Sequence, residues 1–146
     1  MKKHLILTMI FFMFGLTGCE QGPQGFSLPP GDPTQGEQVF LNMQCLSCHT
    51  MEGYERPEAS EDQLSVSIGG KVQSLKTYAE LVTSVINPSH QIAKGYDVEK
   101  IQVSGESVMP IYNDVMTVDQ LVDLITFLES KYELEPYTQT NYIIYH

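Results

Sequence analysis

The sequence predicts a small all-α domain, and two observations support this fold class. Three segments combine a capping residue with apolar residues at helical spacing, which is typical of amphipathic helices. The alternation that marks a strand is absent, apart from a weak pattern in the final stretch YTQTNYIIYH. A stretch rich in Gly and Pro precedes the first helix and marks the start of the domain. We therefore expect one helical domain over residues 34–135, followed by a C-terminal tail over residues 136–146.

Each of the three predicted helices has a recognisable beginning. The first covers residues 33 to about 44, with Asp32 as its cap and a proline in its first turn. The second begins after Thr77, where Thr-x-x-Glu matches a capping box, and Pro88 ends it because a proline restricts the residue before it. The third begins after Thr117 with the related pattern Thr-x-x-Gln. Apolar residues on one face of each helix would form the core.

The N-terminus has the pattern of an export signal that ends in a lipidated cysteine. Lys2 and Lys3 precede an apolar run over residues 5–16, which is shorter than the roughly 20 residues of a membrane span. The run ends in LTGC, which resembles the lipobox of bacterial lipoproteins. We expect residues 1–18 to be a signal peptide and Cys19 to become the lipidated first residue. The alternative is an ordinary signal peptide with an incidental cysteine.

Lipidation would place the protein outside the cytoplasm on a bacterial membrane, facing the periplasm or extracytoplasmic side. Residues 19–33 would form a flexible, lipid-anchored tether. Removal of the two signal lysines leaves six of the eight Lys and Arg against eighteen Asp and Glu. This acidic balance argues against nucleic acid and favours protein partners with positively charged docking surfaces. No small-molecule substrate is expected.

The motif CLSCH, residues 45–49, supplies two thiols and an imidazole within about one helical turn. This spacing is typical of covalent haem attachment, in which Cys45 and Cys48 form thioethers and His49 binds the iron. A redox dithiol and half of a zinc site are the alternatives. The first would follow a strand in a βαβ pattern, and the second needs two more Cys or His at short spacing, which the sequence does not provide. We therefore predict one covalent haem c.

With these features the sequence resembles class I cytochromes c over residues 34–132. The motifs that carry the resemblance are Gly36-x-x-x-Phe40, CLSCH at 45–49, YAELVTSVINPSH at 78–90, Met109-Pro110 and the final helix ending Phe127-Leu128. The family implies the cytochrome c fold, a helical domain wrapped around one haem. It also implies that the first and last helices cross closely, so that Gly36 and Phe40 would contact Phe127.

The sixth ligand of the iron must reach it from the side opposite His49. Met43 and Met51 lie too close to the motif, which leaves three candidates: Met109, Met116 and His90. Met109 is preferred because the following proline favours an extended loop, and a thioether ligand would raise the reduction potential. Met116 directly precedes a helix cap, where a staple contact is expected. An open sixth site remains a further alternative.

Two further features bear on the environment of the haem. The family often has a Gly-Pro pair whose carbonyl orients the proximal histidine, whereas here the corresponding stretch is SIGGKV, residues 67–72. The group that orients His49 is therefore not identified from the sequence. Arg56 and Tyr112 could contact haem propionates, although an ordinary surface or core-edge role is the simpler interpretation.

The predicted function is that of a membrane-anchored electron carrier, either free or as a subunit of a larger oxidoreductase complex. In this role the protein makes and breaks no covalent bonds. It determines the reduction potential of the haem, its burial and the docking of partner proteins. The alternative is a haem enzyme subunit or a gas-binding haem sensor, which would need an open or displaceable sixth ligand.

Overall fold

The computed structural model describes residues 28–56 and 64–136, and it shows that the predicted all-α class is wrong. In this part of the chain four α-helices combine with three small two-stranded sheets, so the fold is mixed α/β. Each strand has only two or three residues, which is too short to produce the alternating pattern that identifies strands in a sequence. Residues 1–27, with the predicted signal peptide, Cys19 and most of the tether, lie outside the described residues, as do residues 137–146 of the tail.

The elements follow one another from α1 to β6. In chain order they are α1 (Pro33–Asn42), a 3₁₀ turn (Cys45–Ser47), β1 (His49–Thr50), β2 (Val66–Ser67), β3 (Gly70–Val72), α2 (Tyr78–Ile86), α3 (Val98–Ile101), β4 (Gln102–Val103), β5 (Glu106–Ser107), α4 (Val118–Glu129) and β6 (Tyr132–Leu134). Within residues 28–56 and 64–136, no helix combines the length and apolar character that crossing a membrane requires.

The three predicted helices are confirmed with the predicted caps. The Asp32 carboxylate accepts the N–H of Thr34 at 2.8 Å at the start of α1. Capping boxes at Thr77 and Thr117 are complete on both sides and begin α2 and α4. Helix α1 ends at Asn42, earlier than predicted, because Gln44 has a left-handed backbone with φ of 57°. This turn directs the chain out of the helix and into the cysteine motif.

The closest packing in the fold is the crossing of α1 and α4. A Cβ on Gly36 would overlap the carbonyl of Asp123 and lie 2.7 Å from the Cβ of Phe127, so only glycine fits there. The rings of Phe40 and Phe127 pack with centroids 5.5 Å apart, and Phe40 is almost fully buried. The predicted contact between these three residues is therefore confirmed. This contact positions α1 against α4, and the cysteine motif follows at the end of α1.

Two parallel strand pairs and one hairpin complete the fold. Strand β1 pairs with β2 and places His49 opposite Val66, while β3 pairs with β6. The antiparallel pair β4 and β5 is joined by Ser104 and Gly105, both with positive φ, as a two-residue hairpin turn requires. The parallel pairs join segments far apart in sequence. Local sequence patterns therefore give no signal for them.

Candidate haem-binding site

The predicted attachment motif lies in a tight loop at the end of α1. Residues Cys45–Ser47 form one 3₁₀ turn, and the N–H of Cys48 donates to the carbonyl of Cys45 at 3.2 Å. Leu46 is buried in the hydrophobic core and anchors the loop from inside. No disulfide joins Cys45 and Cys48 in the described part of the chain.

The environment of Cys45 is unlike that of a reactive dithiol. Burial raises the pKa of its thiol to about 11, and the neighbouring Cys48 adds to the effect, although a backbone hydrogen bond opposes it. Dithiol oxidoreductases instead have a thiol with a lowered pKa, because the thiolate is the nucleophile. The pKa of the Tyr112 phenol is also raised, mainly by burial and further by both thiols, so this ring lies beside the motif. The raised pKa of the Cys45 thiol disfavours the dithiol alternative.

His49 is oriented by a backbone carbonyl from the neighbouring strand. Its Nδ1 lies 3.1 Å from the carbonyl oxygen of Val66, and because a carbonyl only accepts, Nδ1 carries the hydrogen and donates it. This leaves Nε2 as the nitrogen with a free lone pair. Burial lowers the pKa of His49; the Val66 carbonyl opposes this and the charge of Arg56 adds to it. The imidazole is therefore held neutral, the form that binds a metal.

Arg56 donates hydrogen bonds to backbone carbonyls of the same loop. Its Nε donates to the carbonyl of Leu46 at 3.0 Å, and its Nη2 donates to the carbonyls of Ser47 at 2.8 Å and Leu64 at 2.9 Å. Tyr112, the other residue considered for haem propionates, donates its hydroxyl to the carbonyl of Met43 at 3.2 Å. Both side chains thus bond the backbone around the cysteine motif.

A cavity of about 380 Å³ opens beside the loop and brings together Cys48, His49 and Met109. Its walls include buried apolar side chains from α2, α3 and α4, namely Leu81, Val85, Ile101 and Leu128. Cys45 packs against the hydrophobic core and is not among the described residues that line this cavity. One predicted attachment residue and both preferred axial ligands therefore share one largely apolar space.

The segment that presents Met109 follows the β4–β5 hairpin. The N–H of Met109 donates to the hydroxyl of Ser107 at 3.2 Å, and the N–H of Val108 donates to the carbonyl of Ile101 at 3.0 Å. The N–H of Ser107 in turn donates to the hydroxyl of Ser89 at 3.1 Å. These bonds hold Met109, which is half-buried, at the wall of the cavity.

The other candidates for the sixth ligand lie elsewhere. Met116 packs against the hydrophobic core, and His90 is exposed and lines a separate cavity of about 220 Å³ beside α2. Of these three residues, only Met109 is among the described residues that line the cavity of His49. Ligation by Met109 stays a prediction, but the placement agrees with it.

The zinc alternative has no support in the described part of the chain. Among residues 28–56 and 64–136, no group of three or more His, Cys, Asp or Glu lies close enough to hold a metal ion. A structural zinc site is almost always four-coordinate. Cys45, Cys48 and His49 therefore have no further ligands for zinc there.

Comparisons of the chain with protein-family models, with curated proteins and with solved structures find no match.

Three features of the site were not predicted from the sequence. They are the carbonyl of Val66, the bonds of Arg56 to the motif backbone, and the two lysines that line the cavity, Lys76 and Lys94. A backbone acceptor leaves no side-chain signal. Arg56 is the only arginine of the chain and follows the motif closely, which was the one available hint.

Proposed function

We propose that this chain is an electron carrier with one covalently attached haem c, bound through Cys45 and Cys48 and ligated by His49 and Met109. The observation that carries the proposal is that His49 and Met109 line one apolar cavity next to Cys48. The fixed hydrogen bond to Val66 supports it, because this bond leaves Nε2 of His49 for a metal. When bound, the haem supplies an iron that accepts and releases one electron.

The residues of the chain fit such a group in charge and polarity. The cavity walls are mostly aliphatic, as a macrocycle with two apolar faces requires, and Lys76 and Lys94 also line the cavity. Both positive charges suit the carboxylates that the haem edge carries. With a haem bound, the thioether of Met109 and the apolar walls would both favour the less charged ferrous state, so a raised potential is expected.

The exposed segment that follows Met109 in the chain suits a protein partner. Ile111, Val115 and Val118 are each more than 60% exposed, and Asp114 and Asp119 lie among them. A positively charged surface on the partner would complement the acidic residues, while the apolar side chains would allow close contact. Association should therefore weaken as salt is raised.

Membrane attachment is proposed on the sequence of residues 1–33 alone. Export followed by lipidation of Cys19 would fix the carrier to the extracytoplasmic face of a bacterial membrane, and the tether would let it turn toward its partners. A Cys19→Ser variant should then leave the membrane fraction or stay unprocessed. Normal cleavage with unchanged membrane binding would contradict lipidation.

The proposal is tested on purified protein from a host that matures c-type cytochromes. Mass spectrometry of the denatured chain should show the added mass of one haem, and a redox titration should follow one reversible one-electron step. Haem that is removed by acid and organic solvent would contradict covalent attachment. Rapid binding of carbon monoxide by the parent would favour the alternative, a haem enzyme or gas sensor with an open sixth site.

A further inference from the structure

Arg56 joins two segments of the chain that are distant in sequence. Its guanidinium donates to the carbonyls of Leu46 and Ser47 in the cysteine motif and to the carbonyl of Leu64 just before β2. All three distances lie between 2.8 and 3.0 Å, as expected of good hydrogen bonds. The fork of the guanidinium allows one side chain to hold both segments at once.

These two segments carry the imidazole and its hydrogen-bond acceptor. His49 follows the motif directly, and Val66, whose carbonyl accepts the Nδ1 hydrogen, lies two residues after Leu64. The strands β1 and β2 have only two residues each and are joined by the N–H groups of Val66 and Ile68, each 2.9 Å from its acceptor. So short a pair is weak in isolation. The hydrogen bonds of Arg56 link the same two segments through a side chain.

Among the described residues, the three acceptors of Arg56 are neutral carbonyls, which do not cancel its positive charge. The cation bonds the carbonyl of Ser47 at 2.8 Å, two residues before His49, so its charge lies near the imidazole. A positive charge near an iron centre disfavours the ferric state, which carries one more positive charge than the ferrous state. The same side chain can therefore act on geometry and on potential.

We propose that Arg56 is a positioning residue for His49, which aligns the Val66 carbonyl with Nδ1 and, given the haem of the proposed function, raises its reduction potential. This role differs from contact with the haem propionates, because the donors face the backbone of the motif. It assigns to the single arginine of the chain a task that no lysine could perform in full, since an ammonium group lacks the planar fork.

The test uses the full-length protein and three variants. Arg56→Gln removes both the charge and the fork, Arg56→Lys keeps the charge alone, and Lys71→Gln is a control that removes an exposed charge from β3. Two properties are measured in each: the reduction potential, and hydrogen exchange at the amides of Val66 and Ile68.

The expected pattern separates the two effects of Arg56. Arg56→Gln should lower the potential and accelerate exchange at both amides about tenfold. Arg56→Lys should accelerate exchange similarly but keep most of the potential, and Lys71→Gln should change neither. If Arg56 had a purely structural role, the reduction potential would not depend on whether its replacement keeps the positive charge. If Arg56→Gln does not accumulate, Arg56→Lys and the control give both measurements.

The proposal is overturned if an Arg56 variant keeps both the parental potential and the parental exchange rates. A parent protein without haem would overturn the proposed function instead. In that case the exchange rates alone decide the positioning role, and unchanged rates in Arg56→Gln would overturn it as well.

Discussion

The two sides of the candidate site are built in different ways. The side of His49 is held by main-chain pairing between β1 and β2, by the carbonyl of Val66 and by the three bonds of Arg56. The side of Met109 is a loop between β5 and α4. It is held mainly by single bonds, such as that of Met109 to Ser107 and that of Tyr112 to Met43.

If His49 and Met109 bind a haem iron as proposed, this difference implies a fixed ligand on the His49 side and an exchangeable ligand on the Met109 side. Exposed side chains are common in the Met109 loop, whereas Leu46 and Met51 bury the His49 side against the core. Local opening takes place where buried apolar contacts are few. We therefore expect the bond to Met109 to be lost under milder conditions than the haem attachment itself.

The largest effect should follow from removal of both thiols. The double change Cys45→Ala with Cys48→Ala should abolish covalent haem completely, since no other thiol remains in the domain. By comparison, Met109→Ala should retain a full complement of haem. Mass spectrometry of the denatured proteins measures both. If haem stays bound to the denatured double variant, attachment through Cys45 and Cys48 is contradicted.

Loss of Met109 should change the iron without releasing the haem. Met109→Ala should abolish the sulfur-to-iron charge-transfer band of the oxidised protein, lower the reduction potential and permit binding of carbon monoxide or cyanide. Met116→Ala is the matched control, because Met116 packs against the core away from the cavity. If Met116→Ala loses the band and Met109→Ala keeps it, the assignment of the ligand is wrong.

A smaller change should loosen the Met109 side selectively. Ser107→Ala removes the acceptor for the N–H of Met109 and should favour loop opening by about 1 kcal/mol. The sulfur-to-iron band should then be lost at a lower temperature than in the parent, while global unfolding shifts less. Ser74→Ala, on an exposed bend, is the control. Equal shifts of both transitions would argue against separate opening of this loop.

The smallest effect concerns Tyr54, which ties the His49 side to α1 and α4. Burial, followed by the hydrogen bond and charge of Glu37, raises the pKa of its phenol to about 12. The unfolded phenol ionises near pH 10, so the folded state keeps a proton that the unfolded state has lost. The contribution of Tyr54 to the free energy of unfolding is therefore fully present below pH 10 and is lost as the pH rises toward 12.

Comparison of the parent with Tyr54→Phe checks this effect. Thermal unfolding between pH 9 and about 12 should show a shallower alkaline loss in the variant. The pKa values of three other tyrosines, Tyr78, Tyr112 and Tyr132, are also raised. Part of the loss of stability at alkaline pH should therefore remain in both proteins. Identical curves would indicate that Tyr54 does not anchor this segment.

Sequence reasoning succeeded where local chemistry determines structure. Asp32, Thr77 and Thr117 began the three helices as predicted, because a cap is defined within four residues. Gly36 was also placed correctly against the last helix, since it belongs to a motif with a packing consequence. Met109 and His49 line the same cavity, while ligation of an iron by Met109 stays a prediction.

The fold class was wrong because the strands depend on long-range pairing. His49 pairs with Val66 seventeen residues later, and Gly70 pairs with Tyr132 near the end of the domain. Neither partner can be read from a local pattern of two or three residues. The hairpin at Ser104 and Gly105 has a local signal in its Ser-Gly pair, but a turn dipeptide does not change the hydrophobic periodicity.

The most direct test of the central claim is the visible and near-infrared spectrum of the purified parent protein in both redox states. If His49 and Met109 are the two axial ligands, the spectra should show a low-spin c-type haem and, when oxidised, the weak sulfur-to-iron band. Carbon monoxide should then bind poorly. A high-spin spectrum without the sulfur band, together with rapid binding of carbon monoxide, would contradict the claim and favour an enzyme or sensor.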